Sequence, residues 1–175
     1  MKRMPFNSYE LSQLSILVVE SHPLMRRLMK EVLEALGAGT VLQTQNTEEA
    51  WRYFGENQVD LVVTDWGPTT NTINFINALR SRRRSRDPFV PIIVVTAFTD
   101  IKHLRIAQDA GMTEFISRPV TATLVYGRIC AVIENQRDFV STKDFFGPDR
   151  RSPRALPYKG TDRRFRIFTV NHFPT

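Results

Sequence analysis

The sequence predicts an α/β fold: a doubly wound parallel sheet of five strands with helices on both faces. Three observations predict it. Strand-like and helix-like stretches alternate five times between about residues 14 and 138. Two of the strand-like stretches, Leu61-Val62-Val63-Thr64 and Pro91-Ile92-Ile93-Val94-Val95-Thr96, are unbroken runs of the kind found in strands covered on both faces. The spacing suits right-handed crossovers between parallel neighbours.

Taken in order, residues 1–13 are a polar, irregular lead-in. Leu14 to Val19 is rich in β-branched residues and reads as a buried strand ending at Glu20-Ser21-His22-Pro23. Ser21 is placed to cap a helix, and Pro23 suits a first turn. Leu24, Leu28, Met29, Val32, Leu33 and Leu36 then recur at helical spacing, and Gly37 and Gly39 stop the run. A short strand is expected over 40–44. Asn46 with Glu49 resembles a capping box that opens a helix over 47–56. The third strand runs into Asp65 and breaks at Gly67-Pro68. A helix is expected over 71–82, and then a solvated basic loop, Ser81 to Pro88. After the fourth strand, Thr99 is a candidate cap for a helix that Gly111 ends. Glu114 to Ser117 is the fifth strand, closed by Arg118-Pro119. Thr121 opens the last helix, with Leu124, Val125, Ile129, Val132 and Ile133 on its apolar side.

Composition is that of a globular protein, with 42% hydrophobic and 24% charged residues. No run approaches the roughly 20 apolar residues of a membrane span. No signal peptide is expected behind the basic start, and the lone Cys130 excludes an internal disulfide, so the cytoplasm is the expected location. The net charge of +6 is uneven. Residues 1–138 carry 16 Lys and Arg against 15 Asp and Glu, and residues 139–175 carry 8 against 3. The organisation expected is therefore a lead-in (1–13), a domain (14–138) and a basic, aromatic extension (139–175). In the extension, Arg164-Phe165-Arg166-Ile167 alternates like a strand. It is expected either to pack along its own domain or to act as an arm on a second protomer.

Ligands of open parallel sheets gather at the carboxyl ends of strands. Glu20, Asp65, Thr96 and Arg118-Pro119 all fall at such ends. With Ile16-Leu17-Val18-Val19-Glu20, Leu61-Val62-Val63-Thr64-Asp65-Trp66, Val94-Val95-Thr96-Ala97 and Phe115-Ile116-Ser117-Arg118-Pro119, the chain resembles the receiver domain of bacterial response regulators over about residues 14–138. The resemblance implies a flavodoxin-like sheet in the order 2-1-3-4-5. It also implies two-component signal transduction, with Asp65 taking a phosphoryl group from a histidine kinase or phosphotransfer protein and acting on a downstream protein target. Carboxylate attack on phosphorus needs a cation to gather the charge. The family's Mg²⁺ positions fall on Glu20, Ser21, Asp65 and the Gly67 carbonyl. Thr96 matches the hydroxyl that binds the phosphoryl oxygen, Phe115 the aromatic switch, and Arg118 the family's lysine.

Two departures stand out. Ser21 replaces the second acid of the family's pair, which weakens the Mg²⁺ site. Arg118 brings a planar, permanently charged fork that can pair with Asp65 and partly stand in for the metal. Two outcomes follow: an atypical receiver phosphorylated weakly on Asp65, or a pseudo-receiver that signals without phosphate. In either case it is expected not to be an enzyme. A nucleic-acid regulator using the basic tail and Arg82-Arg83-Arg84 is the reading from another class, although no DNA-binding module fits after residue 138. A flavodoxin-like cofactor binder is disfavoured because Glu20-Ser21-His22-Pro23 has no glycine and carries negative charge. Each residue also has a plainer role: Asp65 as a helix cap, Thr96 as a turn hydroxyl, Arg118 as a surface charge, Phe115 as packing, His22 as a surface or capping residue, and Trp66 as an exposed aromatic where the alternative is a shield for the pocket.

Overall fold

The computed structural model describes residues 9–66, 71–97, 101–150, 166–170 and 173. Five parallel strands, β1 (Ser15–Val19), β2 (Thr40–Thr44), β3 (Leu61–Trp66), β4 (Ile92–Thr96) and β5 (Glu114–Ser117), form one sheet in the order β2-β1-β3-β4-β5. Helices α1 (Pro23–Ala35), α2 (Thr47–Glu56), α3 (Thr72–Leu79), α4 (Ile101–Ala110) and α5 (Ala122–Glu134) make the crossovers and flank the sheet. The fold class and strand order are those the sequence predicts.

The two-residue period of the strands divides the core cleanly. Leu17, Val19, Val62, Ile92 and Val94 pack with Ala50, Phe54, Phe75, Ile76, Leu79 and Ala107 of α2, α3 and α4. Ile16, Val18, Leu61, Val63, Ile93, Val95 and Ile116 pack with Met29 and Leu33 of α1 and Val125, Ile129 and Val132 of α5. Asn46 caps α2 by accepting the Glu49 N–H at 2.8 Å, and Thr121 caps α5 by accepting the Leu124 N–H at 3.2 Å. Glu49 does not close the box on Asn46; its carboxylate takes the Gln45 N–H at 3.4 Å.

Several local expectations are corrected. Leu24 and Leu28 are 73% and 40% exposed, because the first turns of α1 stand proud of the core. His22, not Ser21, is the cap residue of α1, with no side-chain cap bond, because the Ser21 hydroxyl points to Asp65. Helix α3 ends at Leu79 instead of reaching residue 82, since the next side chain, Arg80, turns inward and is buried. Thr99 lies outside the described residues.

The basic loop is not simply solvated. The Arg82 guanidinium lies 4.9 Å from the Phe168 ring and 5.7 Å from Phe146, and Arg84 lies 5.7 Å from Trp51. Trp51 belongs to α2, and the two aromatic neighbours of Arg82 come from the extension. There β6 (Phe139–Ser141), β7 (Phe146–Pro148) and β8 (Arg166–Phe168) form a second, antiparallel sheet in the order β7-β6-β8. Phe89, in the loop before β4, meets Phe139, Phe146 and Phe168 edge-on, with centroids 5.2, 5.4 and 5.8 Å away. The described part of the extension thus packs on its own domain, at the pole opposite Asp65.

Arg80 joins the two layers. Its Nε donates to the Gly111 carbonyl at 2.9 Å, and its Nη1 donates to Val90 at 2.7 Å and Pro88 at 3.0 Å. Its guanidinium also stands 5.1 Å from the Phe139 ring. Burial lowers its pKa to about 9, so it stays charged at neutral pH, with Asp87's charge in opposition to the shift. Gly111 has φ +106°, and a Cβ there would sit 2.9 Å from the Arg80 Cγ, so glycine is required twice over. Phe173 is buried among the α1/α5 core, and its carbonyl accepts from Gln136 at 3.1 Å.

Phe89→Ala is expected to cost about 3 kcal/mol, the usual loss on emptying an aromatic site. Urea unfolding measures it, and amide exchange should report faster opening of β6 first.

Candidate functional site

The site follows from strand register. Val19 pairs with Thr64, so the next residues on the neighbouring strands are Glu20 and Asp65. Both keep the parity of the α1/α5 face. Trp66 pairs with Thr96, and Thr96 with Ser117, which puts Arg118 one step beyond. The Arg118 N–H donates to the Thr96 carbonyl at 2.9 Å, fixing the base of its side chain. Glu20, Ser21, Asp65 and Arg118 meet directly, and Thr96 is buried on the adjacent strand. Gly67, the expected carbonyl ligand, lies outside the described residues.

The charges are not paired as expected. Arg118 Nη2 donates to Glu20 Oε2 at 2.9 Å, and not to Asp65. Glu20's other oxygen, Oε1, accepts the His22 N–H at 2.9 Å. This is the buried carboxylate of the pair, so it takes the strongest donors. Asp65 is half-buried, and Ser21 Oγ donates to its Oδ2 at a long 3.4 Å. The Thr72 hydroxyl donates to the Asp65 carbonyl at 3.1 Å, tying the start of α3 to the end of β3. Burial and then the Glu20 charge raise the Asp65 pKa, against the Ser21 bond and the Arg118 charge.

Arg26 was not anticipated. Its Nη1 donates to the carbonyls of Glu20 at 2.7 Å and Ser21 at 3.3 Å, bracing the loop that carries both residues. The available signal was a cation in the first turn of a helix, where the dipole disfavours it. Trp66 is buried, not an exposed aromatic. It lines one tightly packed seam with Thr96, Leu104 and Phe115. Phe115 is half-buried, and the Arg128 guanidinium sits 5.4 Å from its ring. A cleft of about 180 Å³ opens beside Asp65, lined by Ser21, Asn46, Glu48, Asn71 and Thr72 among others.

The donors suit a hard cation in kind: two carboxylates and a hydroxyl, all oxygen. Burial first, and then the neighbouring Glu20 charge, raise the proton affinity of Asp65, and a cation beside both carboxylates would offset the charge part. Among the described residues no group of three or more His, Cys, Asp or Glu gathers. Any cation here therefore depends on Glu20 and Asp65, with Ser21 where a third acid is expected.

Comparisons with known proteins agree with this geometry. The model of the response regulator receiver domain family matches residues 16–129. The chemotaxis protein CheY homolog of Campylobacter jejuni is 32% identical over 110 residues, covering 62% of this chain and 83% of that protein. Chemotaxis protein CheY1 of Helicobacter pylori is 29% identical over 122 residues, covering 69% and 97%. A response regulator structure from Thermotoga maritima superposes with a TM-score of 0.61 at 22% identity, covering 70% of this chain and 98% of that one. The family model's match ends at residue 129, short of the extension.

The sign of the Asp65 shift gives a test. A raised carboxyl pKa contributes stability that is present below the ordinary carboxylate range and lost as pH rises through the raised value. Asp65→Asn is expected to melt above the parent at neutral pH, with the gap closing on acidification. A gap in Tm that ignores pH, measured by thermal denaturation, contradicts it.

Proposed function

The chain belongs to the response regulator receiver domain family of two-component and chemotaxis signalling, and from that premise we propose that Asp65 is its phosphoacceptor. The single observation that carries the reading is the convergence of Glu20, Ser21, Asp65 and Arg118 at the carboxyl ends of strands aligned by register. The donor is a phosphohistidine of a kinase or phosphotransfer protein. An Asp65 oxygen attacks phosphorus, the histidine N–P bond breaks, and the product is an acyl phosphate on Asp65 with the imidazole released. The nucleophile must be ionised. Arg118, Ser21 and the cleft beside Asp65 serve to hold negative charge and admit the phosphoryl group. Mg²⁺, when bound through Glu20 and Asp65, supplies the remaining charge neutralisation.

Thr96 binds the transferred phosphoryl oxygen, and Phe115, in the same seam, moves with it. The output is a change of protein surface read by a downstream protein partner. The expected setting is the cytoplasm; no helix among the described residues is long and apolar enough to cross a membrane.

One observation favours the second reading, signalling without phosphate: both Glu20 oxygens are already engaged. A single experiment separates the two. Incubation with acetyl phosphate and Mg²⁺, or with a phosphorylated histidine donor, is expected to add the mass of one phosphoryl group to the parent and none to Asp65→Asn. No adduct on either protein favours the second reading.

A further inference from the structure

The pole opposite Asp65 carries four arginines in five residues, Arg82, Arg83, Arg84 and Arg86, all of them exposed. We propose that this loop binds a single strand of nucleic acid, with the guanidiniums taking its phosphates and unpaired bases stacking on those guanidiniums that lie over aromatic rings. The site is remote from Asp65 and independent of how that carboxylate is used.

The loop holds its charges outward and leaves them unpaired. It is a tight turn, in which the Ser81 carbonyl accepts the N–H groups of Arg84 at 3.1 Å and Ser85 at 2.8 Å. Among the described residues none of the four arginines makes an ion pair, and the side chains of Arg82, Arg83 and Arg84 donate no hydrogen bond. Asp87 is the only acid among residues 80–88. It turns back on the chain, where its Oδ1 accepts the Phe89 N–H at 2.9 Å and its charge acts on the buried Arg80. The arginines are nevertheless steadied. Arg82 lies 4.9 Å over the Phe168 ring, Arg84 lies 5.7 Å over Trp51, and Arg86 reaches the Gly55 and Asn57 carbonyls at a long 3.5 Å. Resting long side chains on rings lowers the entropy lost when they bind. Arg166 is exposed two residues before Phe168, on the same face of β8, and adds a further cation.

The chemistry selects the partner. A guanidinium fork matches phosphate oxygens, and its plane accepts a stacked base. An unpaired strand offers both, whereas a duplex keeps its bases stacked inside and is read by a helix or ribbon in its groove. A membrane anchor joins basic groups to apolar ones. Among the described residues the exposed large apolar side chain of this pole is Ile167, which strand alternation places on the other face of β8 from Phe168.

The test uses the full-length chain and a fluorescein-labelled oligouridylate of about 12 nucleotides, followed by fluorescence anisotropy. Four phosphates at about 0.7 each give a slope of about 3 for the fall of log affinity with log salt, a loss of roughly fiftyfold between about 50 and 200 mM salt. Arg83→Gln, which removes no contact among the described residues, is expected to reduce that slope by about 0.7, and the triple variant Arg82→Gln, Arg83→Gln, Arg84→Gln by about 2. The basic residues between 151 and 164 are unchanged in both variants, so binding that they alone carry would keep the parent's slope. The proposal is overturned if the parent does not bind the strand, or if Arg83→Gln and the triple variant both keep the parent's affinity and slope. It is equally overturned if a duplex of the same length, polyglutamate or phosphatidylserine vesicles displace the labelled strand at a lower concentration of charge than the unlabelled strand does.

Discussion

Two carboxylates held side by side at the end of a buried sheet set the terms for the rest of this pole. Glu20 and Asp65 follow a paired position of β1 and β3, so the register that buries Val18 and Val63 also forces the two acids together. Like charges in a half-buried place raise one another's proton affinity unless a cation intervenes. Burial and then the Glu20 charge raise the proton affinity of Asp65, while Glu20 itself takes the Arg118 guanidinium and the His22 N–H. Every neighbour can be understood as managing this charge. Ser21 donates to Asp65, Arg26 braces the loop from behind through its carbonyls, and Thr72 ties α3 to the Asp65 carbonyl.

At the opposite pole another arginine solves a different problem. Among the described residues Arg80 makes no ion pair; it takes three backbone carbonyls from two loops and an aromatic face from the extension, with the Asp87 charge acting on it. Among the described residues its Nη2 meets no acceptor. A buried guanidinium so arranged is expensive to disturb, because removing it strands the carbonyls as well. That explains why the extension is seated here. Phe139 closes the face of the cation, and the backbone of β7 approaches Gly111 so closely that a Cβ on Gly147 would lie 3.3 Å from the Gly111 Cα.

The contrast between the poles also explains what the sequence made legible. The strands were readable because burial on both faces leaves an unbroken apolar run, and their carboxyl ends located Glu20, Asp65, Thr96 and Arg118. The choice of partner within that cluster was not readable. Whether Arg118 takes Asp65 or Glu20 depends on which acid is more deeply buried, and that depends on loop geometry braced by Arg26. Helix ends were misjudged where a side chain had a tertiary use: Ser21 left the cap for Asp65, and Arg80 left the α3 pattern for the pole. Arg82 and Arg84 looked solvated because their aromatic partners, Phe146, Phe168 and Trp51, lie far away in the chain. Only the β8 stretch of the extension had a strand pattern to read. Strands β6 (Phe139-Val140-Ser141) and β7 (Phe146-Gly147-Pro148) carry no alternation of polar and apolar residues, and the glycine and proline of β7 argue against a strand.

The two departures from the family's usual residues act on one charge balance in different ways, Ser21 through net charge and Arg118 through reach and donor geometry. With an acid at the Ser21 position, the pocket would hold three carboxylates against one fixed cation, a net charge of minus two that a divalent ion neutralises. With Ser21, the pocket holds Glu20 and Asp65 against Arg118, a net charge of minus one. The pull on a divalent ion is weaker, and the fraction of the charge answered by the resident arginine is larger. An arginine also reaches further than a lysine and offers more donors, so it can settle on Glu20 while leaving Asp65 open. Lysine and arginine carry the same single charge, so Ser21 alone sets the net charge of the pocket, while Arg118 sets which acid the cation answers. Together they give a site whose ground state is internally neutralised at Glu20, with Asp65 as the one carboxylate still seeking a partner.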